Sequence, residues 1–166
     1  MGDIKAALEG AVAYLSEHPD EAGYVDSEAK ATLEEGLRVR VEGPGDLSMI
    51  TDMPESVGGG NAGPSPGWVF RAALAACEAT LIAMQSAREG VSLEALTVTV
   101  DSESDDRGIL GMDPEIPAGP SSVRVRVRVR GTGSDLESIV RTAVERCPVH
   151  DTVARPVSIR VETDVG

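Results

Sequence analysis

The chain carries only two cysteines among its 166 residues, and their settings differ. Cys77 lies within GPSPGWVFRAALAACEATLIAMQSAREG, a long apolar run, and Cys147 lies within ERCPVHDTVARP, where a helical pattern meets a proline. Two thiols so far apart in sequence fit one of two roles. They form a redox pair cycling between dithiol and disulfide, or they are inert core residues, because unpaired cysteine packs as a small hydrophobe. Cys77 shares a helix face with Phe70, Ala73, Leu74, Leu81 and Met84. If that helix opens at Pro66, the thiol sits about 16 Å along it at about 1.5 Å per residue. The macrodipole favours an anion only near the first turn, so activating Cys77 requires a nearby cation. Arg71 and Glu78 share a face lying about 100–120° around the helix from Cys77, which takes Arg71 out of reach. Arg38, from a neighbouring hairpin, or an arginine of a second copy is the candidate instead. On the residues alone the inert reading stands slightly ahead, and the choice stays open.

Cys147 reads as the end of a helix, where the dipole disfavours a thiolate; it suits a resolving thiol better than an attacking one. His150 follows three residues later, close enough for a Cys/His pair, but Cys-x-x-His supplies too few ligands for zinc. His18 falls in an exposed turn and suggests no chemistry.

The elements that must position these residues follow from periodicity. Ile4, Ala7, Leu8, Ala11, Val12 and Leu15 recur at helical spacing over 3–17, stopped by Pro19. Residues 22–33 and 36–42 read as two strands of a hairpin turning near 34–36, and DLSMITDM as a third strand. PESVGGGNAGPSP is too rich in glycine for regular structure. Ser65 then offers an N-cap oxygen and Pro66 the first helical position of a helix to about Arg88, stopped by Gly90. Leu93–Asp101 and residues 121–130 read as strands separated by a loop. SDLESIVRTAVERCP reads as an amphipathic helix capped by Ser134 and ended by Pro148, and Pro156–Thr163 as a last strand. Strands arriving in runs favour an α+β fold in a single domain over 1–166, with residues 1–19 an N-terminal helical extension. The central helix is apolar on nearly every side, so it should be buried. One sheet covers only one side of it, and a symmetric partner is the commonest cover, which predicts a homodimer.

Composition excludes several classes. The formal net charge of −13 argues against nucleic acid and anionic membrane partners. Arg124, Arg126, Arg128 and Arg130 alternate with Val123, Val125, Val127 and Val129, a half-buried strand whose charged face opposes edge aggregation. No aromatic interleaves these arginines, as a nucleic-acid stripe would require. The opening residues do not read as a signal peptide, because Asp3, Lys5 and Glu9 interrupt any apolar run. No run reaches the roughly 20 continuous apolar residues of a membrane span. Sparse cysteine points to a reducing cytoplasm, and two cysteines are too few for a disulfide framework or an all-cysteine zinc site.

GG-x-N-x-GPSP, then ALAAC in a long helix, then CPV about 70 residues later, resembles the OsmC/Ohr family of osmotically inducible and organic hydroperoxide resistance proteins. The resemblance runs from about residue 28 to the C-terminus and leaves the N-terminal helix outside it. It implies an OsmC-like intertwined homodimer, with a long central helix packed against antiparallel sheets. It also implies chemistry. Cys77 would attack a small organic hydroperoxide and become a sulfenic acid, Cys147 would condense with it to a disulfide, and an external dithiol would reduce that disulfide. Arg38 is the best match for the activating arginine, with Arg40 next. No metal or organic cofactor is implied. The chain departs from the family pattern at Gly67, where peroxidase members carry a glutamate that orients the arginine; Glu78 or Glu55 would have to substitute. A second reading is therefore a non-catalytic member that binds a small apolar or electrophilic molecule beside Cys77, near Trp68, Phe70 and Met84. A third is a structural role for both cysteines.

Overall fold

The computed structural model describes residues 3–133 and 135–166. The chain divides into two compact units, Met1–Ala73 and Leu74–Gly166, with the boundary inside the long helix.

In the first unit, Asp3 caps helix α1 (Ile4–Glu17) by accepting from the N–H of Ala6. None of the residues of α1 is buried. A single 3-10 turn at Pro19–Glu21 follows. The three-stranded antiparallel sheet has the order β1 (Lys30–Glu35), β2 (Arg38–Glu42), β3 (Ser48–Thr51). Gly36 takes φ +57° in the β1–β2 turn, a left-handed conformation that favours glycine. The first strand is shorter than its sequence suggests. Residues 22–29 form no ladder, and their apolar members Tyr24 and Val25 are exposed.

Helix α2 (Pro66–Arg88) starts where expected, with Ser65 Oγ accepting from the N–H of Trp68 at 3.3 Å. Gly90 ends it at φ +70°. Its burial differs from the expectation of an interior helix on all sides. Leu74, Glu78, Ile82, Gln85 and Ser86 are buried, a single stripe at helical spacing. By length and composition alone α2 could cross a membrane, contrary to the sequence reading. The polar members of its buried stripe belong to a protein interior instead. Ser86 Oγ donates to the Ile82 carbonyl and Gln85 accepts from Arg146 Nη1.

In the second unit, β4 (Ser92–Glu103) and β5 (Ser122–Thr132) form a long antiparallel pair. Along β5 the valines are half-buried and the arginines exposed. Asp101 on β4 pairs with Arg124 and Arg126, so the charged face is partly neutralised within the sheet. The connecting loop holds one short helix, α3 (Asp106–Ile109), absent from the sequence reading. Helix α4 (Leu136–Glu145) is capped by Asp135, whose carboxylate accepts from Glu137 and Ser138 N–H groups. The cap expected at Ser134 falls outside the described residues. Ile139 and Ala143 of α4 join Leu74, Ile82, Val91 and Cys147 as the buried core.

Two expectations fail at the C-terminal end. Pro148 does not end helical structure but opens a further helix, α5 (Pro148–Ala154), as its first residue. Residues 156–163 form no strand: the tail has no ladder partner among the described residues, and Val157, Ile159, Val161 and Val165 are exposed. Alternation records which faces a segment would present, but a strand exists only where a neighbour takes up its backbone hydrogen bonds.

Candidate active site

The second unit brings the two thiols together. Cys77 stands midway along α2 beside the buried stripe, and Cys147 sits at the junction of α4 and α5. The Cys147 thiol donates to Cys77 Sγ across 3.0 Å, with both cysteines reduced. Cys147 is fully buried, whereas Cys77 keeps partial exposure. Solvent therefore reaches Cys77 while Cys147 stays covered.

The environment of Cys147 is not the one its sequence setting suggests. It follows the end of α4, but it is also the N-cap residue of α5, where its sulfur accepts from the backbone N–H of His150 at 3.5 Å. Burial pushes its thiol up to about 11, reinforced by its bond to Cys77, while the His150 and Val149 N–H groups act in the opposite direction. Desolvation, rather than a helix dipole, is the largest reason the Cys147 thiolate is disfavoured.

Glu78, next to Cys77 in sequence, is fully buried. Its Oε1 lies 2.8 Å from His150 Nδ1, and its Oε2 is buried without a hydrogen-bond partner among the described residues. The sequence reading touched both members of this pair, His150 through its spacing from Cys147 and Glu78 as a substitute carboxylate. It did not join them, because α5 was not expected.

The first unit holds a different constellation. Asp52, at the end of β3, is buried, and its carboxylate accepts from the N–H groups of Met53 (2.7 Å), Gly60 (3.0 Å) and Ala62 (3.0 Å). These bonds, Ala62 first, hold its carboxyl below the usual carboxylate range, with the charge of Arg38 adding to them against the opposing effect of burial. Asp52 thereby folds the glycine-rich segment into a defined loop. A Cβ at Gly59 would collide with the Met53 carbonyl, so the loop approaches that backbone as only glycine permits. A cavity of about 430 Å³ opens beside it, lined by Asn61, Pro64, Ser65, Trp68 and Arg71.

Arg38 lies on β2 and pairs with Glu34 at 2.9 Å, and the same carboxylate takes Arg40 at 2.6 Å. Among the described residues, then, the carboxylate that orients Arg38 is Glu34, which sequence reading missed. Neither proposed substitute has that role: Glu78 bonds His150, and Glu55 lies exposed in a 3-10 turn at Glu55–Val57.

The family model described as OsmC-like protein matches residues 58–162, which include Cys77, Glu78, Cys147 and His150. The chain belongs to the OsmC-like protein family. Among solved structures, an organic hydroperoxide resistance protein OsmC of Legionella pneumophila superposes with TM-score 0.60 at 24% identity, covering 79% of this chain and 90% of that one. An OsmC-like protein of Mycoplasma pneumoniae gives TM-score 0.67 at 16% identity, covering 80% and 89%. An organic hydroperoxide resistance protein of Elizabethkingia anophelis gives 0.55 at 18%, covering 80% and 90%. These likenesses establish the fold, a mixed helix and sheet architecture with antiparallel sheets and one long helix. No curated protein matches the chain. The OsmC-like match contains both thiols, while Arg38 lies N-terminal to it.

Proposed function

We propose that this OsmC-like protein is a thiol-dependent reductase of organic hydroperoxides, a cytoplasmic homodimer with 1–166 as one domain and 1–19 as an N-terminal extension. The observation that carries this reading is the 3.0 Å approach of Cys147 Sγ to Cys77 Sγ, with the more exposed thiol as acceptor. In the first step the Cys77 sulfur attacks the terminal oxygen of the hydroperoxide. The O–O bond breaks, Cys77 becomes a sulfenic acid, and the alkoxide takes up a proton to leave as an alcohol. In the second, Cys147 attacks the Cys77 sulfur and releases its proton; the S–O bond breaks and hydroxide leaves as water. An external dithiol then returns two electrons and two protons, restoring both thiols. Arg38, oriented by Glu34, is the proposed cation for the attacking thiolate. The exposed apolar alternation of residues 157–165 and the single buried stripe of α2 support a second copy as the missing cover.

Stopped-flow consumption of cumene hydroperoxide with a dithiol tests the assignment. Wild type should turn over, and equal slow consumption by wild type and Cys77→Ser would sink it.

The cavity beside Trp68, together with Gly67, favours a second reading as a non-catalytic binder of small apolar or electrophilic molecules. Trp68 is the only tryptophan, so its fluorescence reports occupancy. Saturable quenching by a small apolar ligand, in a protein inert to hydroperoxide, would select this reading.

A further inference from the structure

A fully buried carboxylate with one unpartnered oxygen is costly to maintain, and its position calls for an explanation. Glu78 adjoins Cys77 in sequence, and His150 supplies the N–H that reaches Cys147 Sγ. The contact of His150 Nδ1 with Glu78 Oε1 at 2.8 Å therefore ties α5 to α2 one residue from the first thiol and three from the second. With its proton on Nδ1, the imidazole donates to the carboxylate and its ring orientation is fixed. Among the described residues, the rest of α5 makes no comparable side-chain bond to another element. None of its residues is buried, and its other side-chain bonds, Thr152 to Pro148 and Arg155 to Asp151, stay within its own stretch of chain.

We propose that Glu78 and His150 are positioning residues, a clamp that holds Cys147 against Cys77 and so sets how readily the disulfide closes. This rests on the redox reading of the two thiols given above. Without the clamp, α5 is free to swing, and Cys147 must be brought back to Cys77 before its sulfur can displace the hydroxyl. The clamp acts in the dithiol state, removing beforehand the freedom that closure would otherwise cost. Its loss should shift the dithiol–disulfide equilibrium as well as slow the closing step.

The test equilibrates the full chain in mixtures of reduced and oxidised dithiothreitol, in which oxidised dithiothreitol takes the two electrons released on closure. The disulfide fraction is read by alkylation and mass. His150→Ala should require a buffer about tenfold more oxidising for half-closure, an effect of the size expected from losing one positioning contact. Glu78→Ala should do the same, and the double variant should lose no more than either single one, because both remove one interaction. Glu78→Gln keeps an oxygen that accepts from Nδ1–H and should stay within about twofold of wild type. If Glu78→Ala does not fold, His150→Ala and Glu78→Gln decide, since His150 is only half-buried and Gln preserves volume. An unshifted midpoint in folded His150→Ala overturns the clamp, as does a wild type that forms no disulfide. A second arm adds cumene hydroperoxide and dimedone: wild type should close its disulfide, and His150→Ala should accumulate the Cys77 dimedone adduct. If wild type reacts with no hydroperoxide, the peroxidase reading falls while the dithiothreitol arm still decides the clamp.

Discussion

Asp52 and Glu78 are both buried carboxylates, one in each unit, and they end in opposite circumstances. The carboxylate of Asp52 takes three backbone N–H donors, and its acidity is shifted in the direction those donors impose. Glu78 has one partner, the His150 ring, and an oxygen with none among the described residues. A carboxylate surrounded by backbone donors holds a loop in shape, which is structural work. A carboxylate left half-satisfied beside two thiols is tolerated only where the fold holds it there, and such sites cluster where chemistry occurs. The difference supports the proposed reactive centre at α2 and α5 over one at the glycine-rich loop.

The largest effects should come from the thiols. Cys77→Ser should lower dithiol-dependent turnover of cumene hydroperoxide by on the order of 1,000-fold, because it removes the nucleophile itself. Cys147→Ser should leave the first oxidation intact and let the sulfenic acid persist, seen as a dimedone adduct on Cys77. With Cys147 replaced only Cys77 remains, so any disulfide in this variant joins two copies; dithiol-dependent turnover equal to wild type would break the pairing proposed here. Cys147 also ties stability to pH. Its thiol is raised to about 11, so its contribution is full below the ordinary thiol value and is lost as pH climbs toward that figure. Thermal unfolding of reduced wild type should therefore weaken through alkaline pH by more than that of Cys147→Ala.

Asp52 makes the opposite pH prediction and a smaller effect. Its carboxyl is depressed, so it stabilises the fold above the usual carboxylate value of about 3.9 and loses that effect as pH falls further. Asp52→Asn should melt lower at neutral pH, since an amide offers its loop a single oxygen, and should lose part of the acid sensitivity. Equal acid sensitivity in the two proteins would show that other carboxylates dominate, and the contrast with Glu78 would lose its first half.

The element order was legible where periodicity and caps coincide. Ser65–Pro66, Gly90 and the Val/Arg alternation of β5 all marked real features. The approach of the two thiols was implied only by the family resemblance, since on the residues alone the inert reading stood slightly ahead. Misreadings gathered where one residue serves two elements or where the partner is remote. Cys147 both follows α4 and caps α5, and Pro148 was read as a stop although proline is equally at home at a first helical position. The tail from 156 alternates like a strand yet has no ladder partner among the described residues. Glu78 was offered as a substitute partner for an arginine, because sequence cannot show that an imidazole 72 residues away would meet it.

The smallest predicted effect tests the departure from the family pattern directly. Gly67 is the second residue of α2, and a Cβ there would meet only Arg71 Nη1, at 3.8 Å. Gly67→Glu should therefore fit without rearrangement. It replaces a poor helix former in the first turn and places an anion at the positive end of the helix, together stabilising by about 1 kcal/mol. Its effect on chemistry separates the two readings. If Cys77 works as a peroxidatic thiol with Glu34 orienting Arg38, the added carboxylate should change cumene hydroperoxide turnover measurably, because it introduces a second charge for the arginines to answer. If the cavity beside Trp68 is the functional site, the same substitution should instead weaken apolar ligand binding, read by Trp68 fluorescence, and leave the thiols unaffected. Greater stability with neither change would show that Gly67 belongs to neither site, and the glutamate missing at this position would then say nothing about function.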